Sequence, residues 1–279
     1  MNRMFFVPAA ISLMQLRKWI KKPEVYMTMI CLGIFTFSRV LSIRTMIQAT
    51  GVHATPYLFP FLFADSYMEF FILTGCAILF VEAPFWSENQ ISVFVRVGRS
   101  AWFLGQIYYI FLASFFYLAG VLGISIFILA PDLQFTNTWG SLWNTIAQTD
   151  AAIVFDMNLT VPYYIISRYS PLEAMIVQFF LGFLVIAFIG FLFFLLNLNL
   201  GRKTGVVIVS IMILFTIRIS SFPEWIFWVC PTAWANLNWM HQEVDRISPT
   251  LYQGSMLLVL INAILICLIF ITGRKKDLI

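Results

Sequence analysis

Six stretches of this chain are apolar and long enough to cross a hydrocarbon core, which takes about 20 helical residues. They fall at residues 25–43, 61–81, 101–130, 172–196, 205–222 and 251–271. The third is the longest and has to tilt or protrude. The fifth is short and runs into Ser220, Ser221, Phe222 and Pro223. Residues 225–239 break the pattern: they are aromatic and apolar, yet carry Pro231, Asn236 and Asn238. That suits a re-entrant or interfacial pair of short helices between spans five and six, where irregular backbone packs against protein. Trp225, Trp228, Trp234 and Trp239 fit the headgroup level, where an indole keeps one end wet.

Before the first span, Ala9, Leu13, Leu16 and Ile20 recur on one helical face, with Ser12, Gln15, Lys18 and Lys22 opposite. The pattern predicts a basic amphipathic helix lying on the cytoplasmic leaflet, ended by Pro23. The expected fold is therefore an all-α integral membrane protein. One transmembrane domain covers residues 1–279, with an interfacial N-terminal helix, six spans and one broken segment. No internal repeat or low-complexity tract interrupts it, and no cleavable signal peptide is expected, because Arg17 and Lys18 interrupt the apolar start.

Composition agrees. Apolar residues make up 61% of the chain and charged residues 11%, against about 25% charged in soluble domains. A soluble core could not hide 30 Phe side chains, but lipid can. With the N-terminus inside, twelve of the 17 Lys and Arg fall on the cytoplasmic side, which sets both termini there. The net charge of +4 is dispersed in short clusters, so it reads as topology, with no nucleic-acid partner.

Little chemistry is written in the chain. It has no GxxxxGK phosphate loop followed by Ser or Thr, no HExxH and no GxSxG, so it is not expected to be an enzyme. Four scattered cysteines and the two histidines, His53 and His241, give no disulfide or metal pattern. The long outer connection, residues 131–171, holds Asp132, Asp150 and Asp156 with Trp139 and Trp143. It also carries an Asn158-Leu159-Thr160 glycosylation triplet, a match that is common by chance. Charges inside spans are functional suspects, since each costs roughly 2.5–3.5 kcal/mol or more in lipid. Asp65 and Glu69 are spaced i,i+4 in the outer half of span two, and Arg39 and Arg218 lie at similar depth. Two readings stay open for these four: ion pairs that fix packing, or a polar pathway lining or proton relay.

The connection after span two is the most informative stretch. It runs from Glu82-Ala83-Pro84-Phe85-Trp86 through Glu88 to Arg96-Val97-Gly98-Arg99-Ser100. Four charges sit among Val, Ile and aromatics, a pattern suited to docking another protein or to lying in the headgroups.

At this point the chain resembles the permeases (membrane subunits) of ABC-2-type ABC transporters. The likeness rests on the order of features along essentially the whole chain. These are the amphipathic helix before span one, Glu82 and Glu88 followed by Arg96-Val97-Gly98-Arg99, and the long outer connection. A broken aromatic segment between spans five and six and the basic tail Arg274-Lys275-Lys276 complete it. The resemblance implies a subunit without an ATPase site. ATP and Mg are held by a separate ATP-binding subunit, and a second permease copy, identical or related, completes the transporter. It implies a coupling helix within residues 84–100, with Phe85, Glu88, Arg96 and Arg99 as its contacts. The setting implied is multi-pass, in the plasma membrane of a bacterial cell. The expected function is export of an amphipathic or apolar substrate: a peptide, a lipid-linked molecule or a drug. A stand-alone secondary transporter or channel using Asp65 and Glu69 is the alternative, with a non-transporting immunity or sensory subunit as another.

Overall fold

A computed structural model describes residues 2–85, 94, 96–223, 225–240 and 249–275, with side-chain burial for those from Phe6 to Gly273. The described chain is helical, 82% by residue and without strands. The elements are α1 (Asn2–Arg17), a 3-10 turn (Lys18–Lys21), α2 (Pro23–Thr50), α3 (Phe59–Ala64), α4 (Ser66–Phe80) and α5 (Arg99–Leu129). They continue with α6 (Gly140–Gln148), α7 (Ala151–Val154), α8 (Tyr163–Arg168), α9 (Pro171–Asn199), α10 (Arg202–Ile217), α11 (Ile226–Val229), 3-10 turns at Pro231–Ala235 and Leu237–Trp239, and α12 (Leu251–Lys275).

Four stretches are long and apolar enough to cross a bilayer: Pro23–Thr50, Arg99–Asp132, Pro171–Asn199 and Leu251–Gly273. The shortest has 23 residues. At the helical rise it reaches ~35 Å, which exceeds a typical hydrocarbon core of about 30 Å. Four such helices make this a membrane-embedded protein. Their ends are set by local chemistry. Gly51 takes φ 69° and returns its N–H to the Ile47 carbonyl at 2.8 Å, closing α2. Ser170 and Glu173 form a capping box ahead of Pro171 and start α9.

Two of the expected spans come out differently. The apolar run 61–81 is not one helix, because the chain breaks at Asp65. That residue is extended (φ −83°, ψ 116°), and its carboxylate accepts the Tyr67 and Met68 N–H groups at 3.1 and 2.9 Å. A short carboxylate satisfies free helix donors better from an N-cap than from a helix face. The fifth run gives α10 of 16 residues and a 3-10 turn at Ile219–Ser221, shorter than the four long helices.

The centre of the bundle is α9, which packs against α3, α4, α5, α10 and α12. Two thirds of its most apolar window is buried, 67% against 28% for α2 and for α12. The outer connection is not a solvated loop. Trp139 and Trp143 are buried, donate to the Tyr169 carbonyl at 2.9 Å and the Thr55 hydroxyl at 3.0 Å, and pack at a tilt against Phe61. Residues 231–237 are likewise buried. Trp234 faces the core and donates to the Phe227 carbonyl, so it is not at a wet headgroup level as expected. Trp225, by contrast, is exposed.

The N-terminal helix forms and turns its Leu13 and Ile20 side outward, as a helix lying on lipid would; its polar side meets protein. Ile11, Ser12 and Gln15 pack onto α5, while Leu13 and Ile20 are 51% and 72% exposed. The reason is the solvent. Lipid accepts Leu and Ile side chains, whereas Gln15 finds its acceptor across the interface at the Phe85 carbonyl; Ser12 bonds within its own helix, to Ala9. Gly105 permits the close approach: a Cβ there would fall 2.7 Å from Ile11 Cγ2.

Candidate functional site

Polar side chains gather at both ends of the bundle. One end, the basic end, carries the start of α2, the exit of α4 and the turn between α9 and α10. Glu82 sits there just past α4. Its Oε2 accepts from Lys22 Nζ at 2.7 Å, and its Oε1 lies 3.7 Å from the Arg202 guanidinium. The Lys22 hydrogen bond draws the Glu82 carboxyl below its usual value; partial burial opposes this, and the Lys22 and Arg202 charges assist it.

The backbone that follows is held from three directions. The Asn197 amide, from α9, donates to the Val81 and Ala83 carbonyls at 3.0 and 2.7 Å. Gln15, from α1, donates to the Phe85 carbonyl at 3.5 Å. Phe85 adopts φ 58° and sets its ring edge-on against Tyr109 of α5, with centroids 4.8 Å apart. Trp19 then donates its indole N–H to the Tyr109 hydroxyl at 2.8 Å. Residues 81–85 are thus tied to α1, α5 and α9 together.

This placement corrects one expected contact. Phe85 is only 7% exposed and belongs to the core, so it cannot serve as a surface contact for a partner. Arg96 and Arg99 are exposed beside α5. Glu88 lies outside the described residues. The pattern places Gln15 on the polar face of the N-terminal helix but marks neither Trp19 nor Tyr109; Asn197 had an unused signal, one of two amides in the Leu-rich run Leu195-Leu196-Asn197-Leu198-Asn199-Leu200.

The opposite end, under the outer connection, carries Glu69. It is fully buried one turn into α4, and among the described residues its carboxyl oxygens meet no well-aligned donor, the Asn236 amide being the polar group that acts on them. Asn236 and Asp65 stand beside it. Around them runs a ladder of amides: Gln178 donates to the Ala235 carbonyl at 2.6 Å and accepts from the Leu237 N–H at 3.4 Å, and Asn236 donates to the Ala64 carbonyl at 3.4 Å. These bonds pin the broken segment 231–240 over the kink at Asp65.

The four expected intramembrane charges do not meet as ion pairs among the described residues. Asp65 is spent as a helix cap. Arg39 donates to the Asn158 carbonyl at 2.6 Å and lies over the Phe35 and Tyr67 rings at 5.0 and 5.3 Å. Arg218 ends α10 and is exposed. Glu69 is left without a countercharge, where the pattern had suggested one.

Among the described residues, no group of three or more His, Cys, Asp or Glu is placed to hold a metal. No family model matches this chain, and neither the curated proteins nor the solved structures contain a match.

Proposed function

We propose that this chain is the permease subunit of an ATP-driven ABC transporter, energised by a separate ATP-binding subunit that holds ATP and Mg. In this reading it crosses the plasma membrane six times with both termini cytoplasmic. The kinked pair α3–α4 and the short α10 supply the two crossings beyond the four long helices. A second permease copy completes the pathway, and an amphipathic or apolar molecule is moved outward.

One observation carries the proposal: the grip on residues 81–85. A connection used only to join two helices needs no such anchoring. Here its root is bonded to α1 through Gln15, to α5 through Phe85 and Tyr109, and to α9 through Asn197. A displacement of residues 81–85 would reach three helices of the bundle at once. That is what coupling to a partner's nucleotide cycle requires. The substrate class has a weaker support, an apolar groove of about 480 Å³ lined by Phe115, Leu122, Phe179 and Phe183 between α5 and α9.

The test is copurification. Solubilised from its native membrane, the chain should bring down an ATPase with a GxxxxGK phosphate loop, and Arg96→Glu with Arg99→Glu should reduce that recovery at least tenfold. A complex that is stable and transports without any nucleotide-binding partner would sink the proposal. Glu69 favours a second reading, a stand-alone secondary transporter. Uptake in vesicles that follows an imposed proton gradient without ATP, and is lost in Glu69→Gln, would select it.

A further inference from the structure

We propose that the elbow between α1 and α2 is a binding site for an anionic phospholipid, with the acyl chains in an apolar groove and the phosphate on a basic rim. The inference requires the chain to be embedded in a bilayer, and it is independent of any ATPase partner.

The groove is about 390 Å³ and is lined by Leu13, Leu16, Ile20, Val25, Met29 and Phe116, with Arg17 at its edge and Trp19 in its wall. Its walls come from α1, the Lys18–Lys21 turn, α2 and α5. A flat lipid-facing helix would offer no such re-entrant shape. It exists because α1 docks through its Ser12 and Gln15 side and turns its Leu and Ile side outward. Trp19 also lines a second, smaller cavity of about 150 Å³, with Gln15, Lys18, Lys22, Glu82, Phe85 and Tyr109. The indole, fixed by its hydrogen bond to Tyr109, therefore stands between an apolar slot and a polar one. That is the profile of a lipid at the boundary of chain and headgroup.

Charge selects the headgroup. Arg17, Lys18, Lys21 and Lys22 fall within six consecutive residues. Two carboxylates oppose them, Glu24 and Glu82, but Glu82 is already shared by Lys22 and Arg202. Among the described residues these four cations outnumber the two carboxylates, with Arg17 lining the apolar groove and Lys18 and Lys22 the smaller cavity. Partial burial, and then the Lys22 charge, push the Lys18 ammonium below its usual value. A phosphate over the rim would relieve that repulsion.

The experiment uses the full chain, delipidated in neutral detergent. Native mass spectrometry would compare added phosphatidylglycerol with phosphatidylcholine of the same acyl chains. The expected result is at least tenfold preferential retention of phosphatidylglycerol. Arg17→Gln and Lys18→Gln should each cut that preference by about fivefold. Met29→Trp, which fills the groove and leaves the rim intact, should reduce retention of phosphatidylglycerol while circular dichroism stays unchanged. Equal retention of the two lipids overturns the proposal. So does a preference that survives all three substitutions, which would place the lipid elsewhere. Inorganic phosphate separates the two sources of the anion: if millimolar phosphate raises the melting temperature as far as phosphatidylglycerol does, the rim is a simple ion site and the groove has no occupant of this kind.

Discussion

Glu69, one turn into α4, and Glu82, just past its last turn, are carboxylates at opposite ends of one helix, and they live under opposite conditions. Glu82 is half exposed, bonded to Lys22 and close to Arg202. Glu69 is fully buried beside the Asn236 amide and has no countercharge among the described residues. Their neighbourhoods differ in the same way. Around Glu82 the amides of Asn197 and Gln15 satisfy loop carbonyls and join three helices. Around Glu69 the amides of Gln178 and Asn236 satisfy the broken segment and leave the acid without a countercharge. One end is built to hold. The other keeps a carboxyl that burial penalises.

Substitutions on the two sides should therefore move stability in opposite directions. The largest effect is expected at the held end. Asn197→Leu strips two carbonyls of their donor, and thermal unfolding in detergent should show a loss of about 2–4 kcal/mol; a change within error would mean water replaces the amide. Glu69→Leu removes an unsatisfied acid from an apolar site and should raise stability by about 1–3 kcal/mol. A clear loss there would mean that Glu69 has a partner and that the contrast is false.

Smaller effects refine the picture. Asp65→Ala should cost about 1 kcal/mol, and Asp65→Asn much less, because Asn also caps helices. If Asn is as harmful as Ala, the carboxylate charge matters beyond capping. The smallest effect is electrostatic. Because the Glu82 carboxyl is drawn below its ordinary value of 4.5 in the folded chain, its contribution is complete above that value. It fades as pH falls through the lowered value. The pair is exposed, so the step is worth under about 1 kcal/mol and shrinks with salt. An acid titration of protease resistance at the N-terminal helix should show it in the wild-type chain and lack it in Glu82→Gln.

How much of this was visible in the chain depends on what decided each feature. The long helices were legible because hydrophobicity and length decide them: residues 172–196 became α9 with a few residues added at the ends. The break at Asp65 was not. A lone Asp in an apolar run fits a helix face or a cap equally well, and only backbone geometry separates the two. The outward Leu13 and Ile20 of α1 match a helix lying on lipid, but that its Ser12 and Gln15 side packs on α5 could not be read from the pattern, because α5 begins only at Arg99. Phe85 looked like a surface aromatic in a charged stretch; Tyr109, far along the chain, is what buries it. The isolation of Glu69 was equally invisible, since Arg39 lies at a matching depth and is claimed instead by the Asn158 carbonyl.

The docking of α1 onto α5 also has a consequence in time. During synthesis α1 leaves the ribosome well before the helix it packs on. Trp19 must wait for Tyr109, 90 residues later, and Gln15 for the carbonyl of Phe85, 70 residues later. Until then Gln15 and Trp19 lack the partners they hold in the finished bundle, and lipid is a poor substitute. An early helix is therefore a late arrival in the finished bundle, and its seating marks that α4, the connection after it and α5 are already in place.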